Sequence, residues 1–255
     1  MKKKTILVLV IALMIYLAGF ALRAAFNGFV LWGNLEGQSF WGYPESITYD
    51  SALTAEADLV SLDCPILLTP GEVGTIEVTV ANPNDYRITA WISAHVSKPD
   101  QLENMVRQTR RTYLEPGESS VLSWKVSEDN IIHGRMILFR VFLRLTQFHP
   151  PARTNHCGIM FIDLWGLSGS AIVILSLVGS HILQGMGIFL WWRGKRQAGK
   201  KDQSLRNILL VLSFFSLVMS VGSLSHSWIL GIIGLVLSLL LVFTSIGYSI
   251  GKTDH

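Results

Sequence analysis

The chain changes rhythm several times along its length. Four stretches, 5–22, 167–192, 208–224 and 228–250, are almost wholly apolar and contain no Asp, Glu, Lys or Arg. Each is close to the roughly 20 residues that cross a bilayer core as a helix. Between the first and second, the pattern shifts to period two, the signature of half-buried strands. Ile76, Val78 and Val80 alternate with Glu77 and Thr79, and Ile88, Ala90, Ile92 and Ala94 alternate with Thr89, Trp91, Ser93 and His95. The same alternation sets Leu122, Trp124 and Val126 on one face. Ile137, Phe139, Val141, Leu143 and Leu145 share another, with Arg140 and Arg144 opposite.

Turn signals bound these runs. Pro70-Gly71 and Pro116-Gly117 precede two of them, and Asn82-Pro83-Asn84-Asp85 is turn chemistry. The pattern predicts six or seven strands: 58–64, 73–80, 87–96, 109–114, 119–126, 135–147 and 157–162. Residues 97–109 are read as the longest loop. Strands at this spacing describe an immunoglobulin-like sandwich. The expected fold class is a mixed membrane protein, an extracytoplasmic Ig-like β-sandwich plus four transmembrane α-helices.

The parts follow: an N-terminal anchor or signal peptide over 1–23, an aromatic- and Gly-rich membrane-proximal segment over 24–57, and the sandwich over 58–163. A transmembrane helix over 164–192, a basic loop over 193–206, a helical hairpin over 207–251 and a tail over 252–255 complete the chain. Met1–Leu22 fits either a retained anchor or a cleaved leader, and the length of its apolar run favours the anchor. Arg23 stands just beyond that run. Phe26, Phe29, Trp32, Phe40, Trp41 and Tyr43 among glycines suit the membrane interface, one end of the sandwich, or a ligand platform.

Charge orients the spans. Lys2, Lys3 and Lys4 precede the first, and Arg193, Lys195, Arg196, Lys200, Lys201 and Arg206 follow the second. Segment 23–163 carries 11 basic and 16 acidic residues, a net of −5. Basic flanks mark the cytoplasmic side, so both termini are expected inside a cell membrane and 24–163 outside. The basic loop is a topology signal, and no nucleic-acid partner is expected. Composition agrees: 50% of residues are hydrophobic and 15% charged.

Cys64 and Cys157 are the only cysteines. On the oxidising side of a membrane they are expected to form a disulfide, although free thiols or a metal site beside His156 remain open readings at this point. His95, His133, His149 and His156 lack metal-ligand spacing, and no metal or cofactor is expected. No nucleophile elbow, HExxH, phosphate loop or EF-hand pattern appears, and no catalytic residue or enzyme activity is expected.

The segments "LTPGEVGTIEVTVANPND" and "YLEPGESSVLSWKV" resemble the Ig-like β-sandwich modules of bacterial surface proteins, such as the CARDB-type adhesion-related domains. The resemblance covers roughly 59–147. It implies adhesion, spacing or partner binding outside a cell, and no catalytic residues. The three spans that follow are not part of that family.

Small residues mark helix faces in the spans: Gly169, Ser176, Ser180 and Gly187; then Ser213, Ser216, Ser220 and Ser223; then Gly231, Gly234, Ser238, Ser245 and Ser249. Such faces let helices approach closely in lipid and could serve an oligomer. His181 and Gln184 lie one turn apart inside the second span. They read either as an intramembrane polar site or as hydrogen-bond partners of the third span's serines. The expected function is a membrane-anchored extracytoplasmic binding or scaffolding module that engages a protein or cell-envelope partner near the bilayer. The alternative is an accessory subunit of a transport or assembly complex whose helical bundle carries the function.

Overall fold

A computed structural model describes residues 3–40, 58–99, 105–144, 153–164, 166–195, 203–225 and 228–251. Expectations for segment 41–57, Leu145, His149, Pro150-Pro151, residues 196–202 of the basic loop and the tail lie outside them. Two compact units emerge: one combines Met1–Leu31 with Ala171–His255, the other is Trp32–Ser170.

The second unit is a two-layer β-sandwich. Its strands are β1 (Asp58–Asp63), β2 (Leu67–Leu68), β3 (Gly74–Ala81), β4 (Ile88–Ser97), β5 (Met105–Leu114), β6 (Ser119–Val126), β7 (Met136–Arg144) and β8 (Arg153–Phe161). One sheet has the order β1-β3-β6 and the other β2-β8-β7-β4-β5. Pairing is antiparallel except between β2 and β8. The period-two apolar faces meet between the layers: Ile76, Val78, Val80, Ile92, Ala94, Trp124, Phe139, Val141 and Ile159 are all buried there. Burying each aliphatic chain contributes about 1.5–3 kcal/mol.

The repeated Pro-Gly-Glu phrase has a local physical basis. Gly71 (φ 77°) and Gly117 (φ 72°) take the left-handed conformation, which a side chain resists. The turns close with Glu72 N–H donating to Thr69 O at 3.0 Å and Glu118 N–H to Glu115 O at 3.0 Å. Each glutamate then folds back: Glu72 Oε2 accepts from Thr69 N–H at 2.8 Å, and Glu118 Oε2 from Glu115 N–H at 2.7 Å. The Glu72 carboxylate also accepts the Gly169 N–H at 3.0 Å. Burial raises the Glu72 pKa, but the Gly169 and Thr69 N–H groups outweigh it and hold the carboxyl below its usual range. Asn82, buried, donates to Tyr86 O, Leu114 O and Glu115 O. One amide therefore joins the end of β3 to the β5–β6 turn.

Three strand readings need correction. Met105–Thr109, read as loop, is the first half of β5, because its polar side chains are those of an exposed strand. The last strand starts at Arg153 rather than 157, and the short β2 extends the sheet beyond it. Cys64 falls just after β1 rather than on it.

The apolar blocks form α1 (Lys3–Phe40), α2 (Gly169–Lys195), α3 (Gln203–Leu224) and α4 (Trp228–Gly251). Among the described residues, three helices carry stretches long and apolar enough to cross a membrane, Ile6–Gly33, Gly169–Gly194 and Asn207–Leu224, and α4 carries a shorter one, Ile229–Thr244. Outward-facing Met14, Leu17, Ile174, Ile182, Phe189, Phe214, Val221 and Phe243 are exposed, an apolar surface suited to lipid rather than water.

The anchor drawn to end at residue 23 does not end there. Arg23 lies mid-helix, and residues 24–40, read as a separate membrane-proximal segment, continue α1. No Pro or turn follows Arg23, and Ala24–Trp32 resumes an apolar pattern. In the sandwich unit, the far end of α1 packs on β8. A Cβ on Gly158 would overlap the Gly33 backbone, and Trp32 stacks on the Arg135 guanidinium at 4.2 Å.

Candidate functional site: a polar seam among the helices

The α3 serines face inward as a column, and each meets a polar group from α1 or α2. Ser213 Oγ lies 3.1 Å from the Tyr16 hydroxyl, which donates to Leu209 O at 2.7 Å. Gln184 Nε2 donates to Ser216 Oγ at 2.9 Å. His181 Nε2 lies 2.9 Å from Ser220 Oγ. Arg23 Nη2 donates to Ser223 Oγ at 2.6 Å and to Met219 O at 3.0 Å. From Ser213 to Ser223 this seam runs about 15 Å along α3, at 1.5 Å per residue.

Asn27, one turn beyond Arg23, carries the seam to α4. Its Nδ2 donates to Gly231 O at 3.2 Å, and its Oδ1 accepts from Ser223 Oγ at 3.1 Å. Arg23, Asn27, Ser216, Ser223 and Gln184 are all buried. The Arg23 guanidinium also lies over the Phe26 ring, 5.2 Å from its centroid.

Small residues make this proximity achievable. A Cβ on Gly19 would stand 2.7 Å from Ser180 O, and one on Gly187 would stand 2.8 Å from Ala12 O. Gly234 meets Met219 in the same way, at 2.7 Å from its Cγ. Ser180 and Gly187 of the α2 stripe, and Gly231, Gly234 and Ser238 of the α4 stripe, therefore lie on contact faces within this unit.

Chemically, the seam is a chain of hydroxyl, amide, imidazole and guanidinium groups. No Asp or Glu occurs among the described residues of the helical unit. Two polar functions stay unmatched: Gln184 Oε1, and Arg23 through Nε and Nη1, have no hydrogen-bond partner among the described residues. Nor do the described residues contain a group of three or more His, Cys, Asp or Glu placed to hold a metal.

Sequence reasoning named His181, Gln184 and the serines, and the fold brings them together. It left Tyr16, Arg23 and Asn27 out. The available signal was the helical spacing of 16, 23 and 27 within a run that resumes after Arg23. Cys64 and Cys157 are bonded, with Sγ atoms 2.00 Å apart, and close a separation of 93 residues.

The sandwich has its own polar concentration, on the outer face of the five-stranded sheet. There β4 places His95 opposite Arg107 of β5 and Arg140 of β7. His95 is only 8% exposed and meets the Phe142 ring edge-on at 4.8 Å. Burial, reinforced by Arg107, Arg140 and Arg144, pushes the imidazole down to about 4. Burial and Arg140 also lower His156. The strand β5 lies at the end of its sheet and is exposed from Arg107 to Arg111. Arg111 stacks on Tyr113 at 4.6 Å and on Trp91 at 5.3 Å, and Arg87 lies over Tyr113 at 5.1 Å.

No protein-family model matches the chain, and no curated protein matches it. Among solved structures it is similar to the CARDB domain of a Pyrococcus furiosus protein, solved in complex with di-metal ions. The identity is 14%, over 43% of this chain and 93% of that domain, with a TM-score of 0.33. It is also similar to a Listeria innocua beta-glucosidase in complex with isofagomine, at 17% identity over 44% of this chain, with a TM-score of 0.31. It spans only 17% of that enzyme, and neither metal nor glycoside is transferred from these likenesses. The fold and the seam themselves define the class: a membrane-associated protein with a disulfide-bonded, Ig-like β-sandwich and an apolar helical unit.

Proposed function

We propose that this protein is a membrane-anchored module whose sandwich lies outside the cytoplasm and binds an acidic protein or cell-envelope partner near the bilayer. In this reading all four helices span, both termini are cytoplasmic, and the basic residues between α2 and α3 hold that orientation.

The observation that carries the proposal is the β5 edge. It exposes Arg107, Arg110 and Arg111 with no acidic residue on the strand. Arginine on an edge strand also discourages unwanted sheet pairing. Here, however, Trp91 and Tyr113 hold the Arg111 guanidinium between them. Ordered Arg, Tyr and Trp are the residue types that anchor interfaces. A photoreactive residue at Thr109 should crosslink a partner in intact cells, while one at Glu77, on the other sheet, should not. Equal yields at both positions would refute the assignment.

The polar seam favours a second reading, in which the protein serves a transport or assembly complex through its helices. His181→Leu separates the two. A folded variant that keeps its β5 crosslink and its cellular activity supports the first reading, and one that keeps the crosslink but loses activity supports the second.

A further inference from the structure

We propose that Arg23 forms an oxyanion site within the helical unit, and that its ligand is a phosphate group, carried by an anionic lipid or free. The side chain has no exposed surface. Its two Nη2 hydrogens are used by Met219 O and Ser223 Oγ, while Nε and Nη1 have no partner among the described residues. A guanidinium has five N–H donors, so three are left over. No carboxylate among the described residues of the helical unit balances the charge. An arginine buried in a membrane-spanning bundle without a counter-charge is unfavourable unless something else supplies the charge.

The charge narrows the ligand: the free donors sit on a full cation, and phosphate oxygens are strong acceptors for guanidinium N–H groups. The Phe26 ring covers one guanidinium face.

The two groups that hold Nη2 belong to the last turns of α3: Ser223 and Met219 stand two and six residues before Ser225, where α3 ends in a turn, about 3–9 Å along the axis. The last carbonyls of α3 partly offset the arginine's charge, but they cannot occupy Nε and Nη1, which point elsewhere on the same cation.

The test uses the purified full-length protein and native mass spectrometry, with phosphatidylglycerol and phosphatidylcholine as lipid probes and inorganic phosphate as competitor. Wild type should retain one more phosphatidylglycerol than Arg23→Gln, with at least a tenfold preference over phosphatidylcholine. Ser223→Ala, which alters only the Nη2 side, should keep that lipid. Displacement by inorganic phosphate assigns the site to the free oxyanion, and retention assigns it to the lipid headgroup. If Arg23→Gln does not fold, Arg23→Lys replaces it. That variant keeps the charge but presents three donors from a single point, and should bind at least fivefold more weakly. Equal phosphatidylglycerol binding by wild type and the Arg23 variant, or no binding of either probe by wild type, overturns the proposal.

Discussion

Acidification should loosen the sandwich through one histidine. His95 is buried between Arg107 and Arg140, with Arg144 nearby, and takes up its proton only at about 4. In the unfolded chain a histidine does so near 6.5. Between those values the unfolded state holds more protons, so stability falls as pH falls. Integrated over that window the loss is on the order of 3 kcal/mol, complete only as pH approaches 4. For a domain of this size that lowers Tm by roughly 12–24 °C. His156 is lowered as well, so part of the wild-type slope belongs to it. Thermal unfolding followed by tryptophan fluorescence from pH 7 to 4.5, in wild type and His95→Gln, isolates the His95 share. The variant should lose most of the slope. An identical slope in both proteins, or a flat wild-type profile, would refute the reasoning.

Removing the disulfide by Cys64→Ser with Cys157→Ser should cost about 4–5 kcal/mol on the chain-entropy model for so long a loop. Denaturant unfolding measures it, and a loss under about 1 kcal/mol would contradict that model here. Glu72→Gln should destabilise by about 1 kcal/mol at pH 7, by weakening the carboxylate's hold on the Thr69 and Gly169 N–H groups. Because the folded carboxyl titrates below its unfolded value, the difference from wild type should shrink as pH falls through the folded pKa. Gly19→Leu should cost about 1–3 kcal/mol by overpacking against Ser180 and Leu183, whereas Gly28→Leu, with open space at its Cβ, should cost far less. Thermal aggregation of the detergent-solubilised protein compares the two.

Much of the sandwich was legible because strand alternation is a local signal. Ile76, Val78 and Val80 declare their face within five residues, and the core they enter is the one they imply. The first half of β5 was not legible, since exposed edge residues such as Arg107 and Gln108 carry no apolar face to alternate. The helical stripes were readable for the same reason as the strands. Arg23 was not. In a hydropathy run one charge looks like an end, and only neighbouring helices decide whether it marks a boundary or is buried. Met219 O and Ser223 are nearly two hundred residues away in sequence, beyond the reach of periodicity. The face of His95 was readable but its burial was not, because that depends on Phe142, Arg107 and Arg140 of the neighbouring strands.

The central claim, a sandwich outside the membrane and a basic loop inside, can be tested with single introduced cysteines. Both native cysteines are bonded to each other, so a thiol added at Glu118→Cys or Gln203→Cys is the reactive one. A membrane-impermeant maleimide applied to intact cells should label Glu118→Cys at once and Gln203→Cys only after permeabilisation. The opposite order would contradict the account.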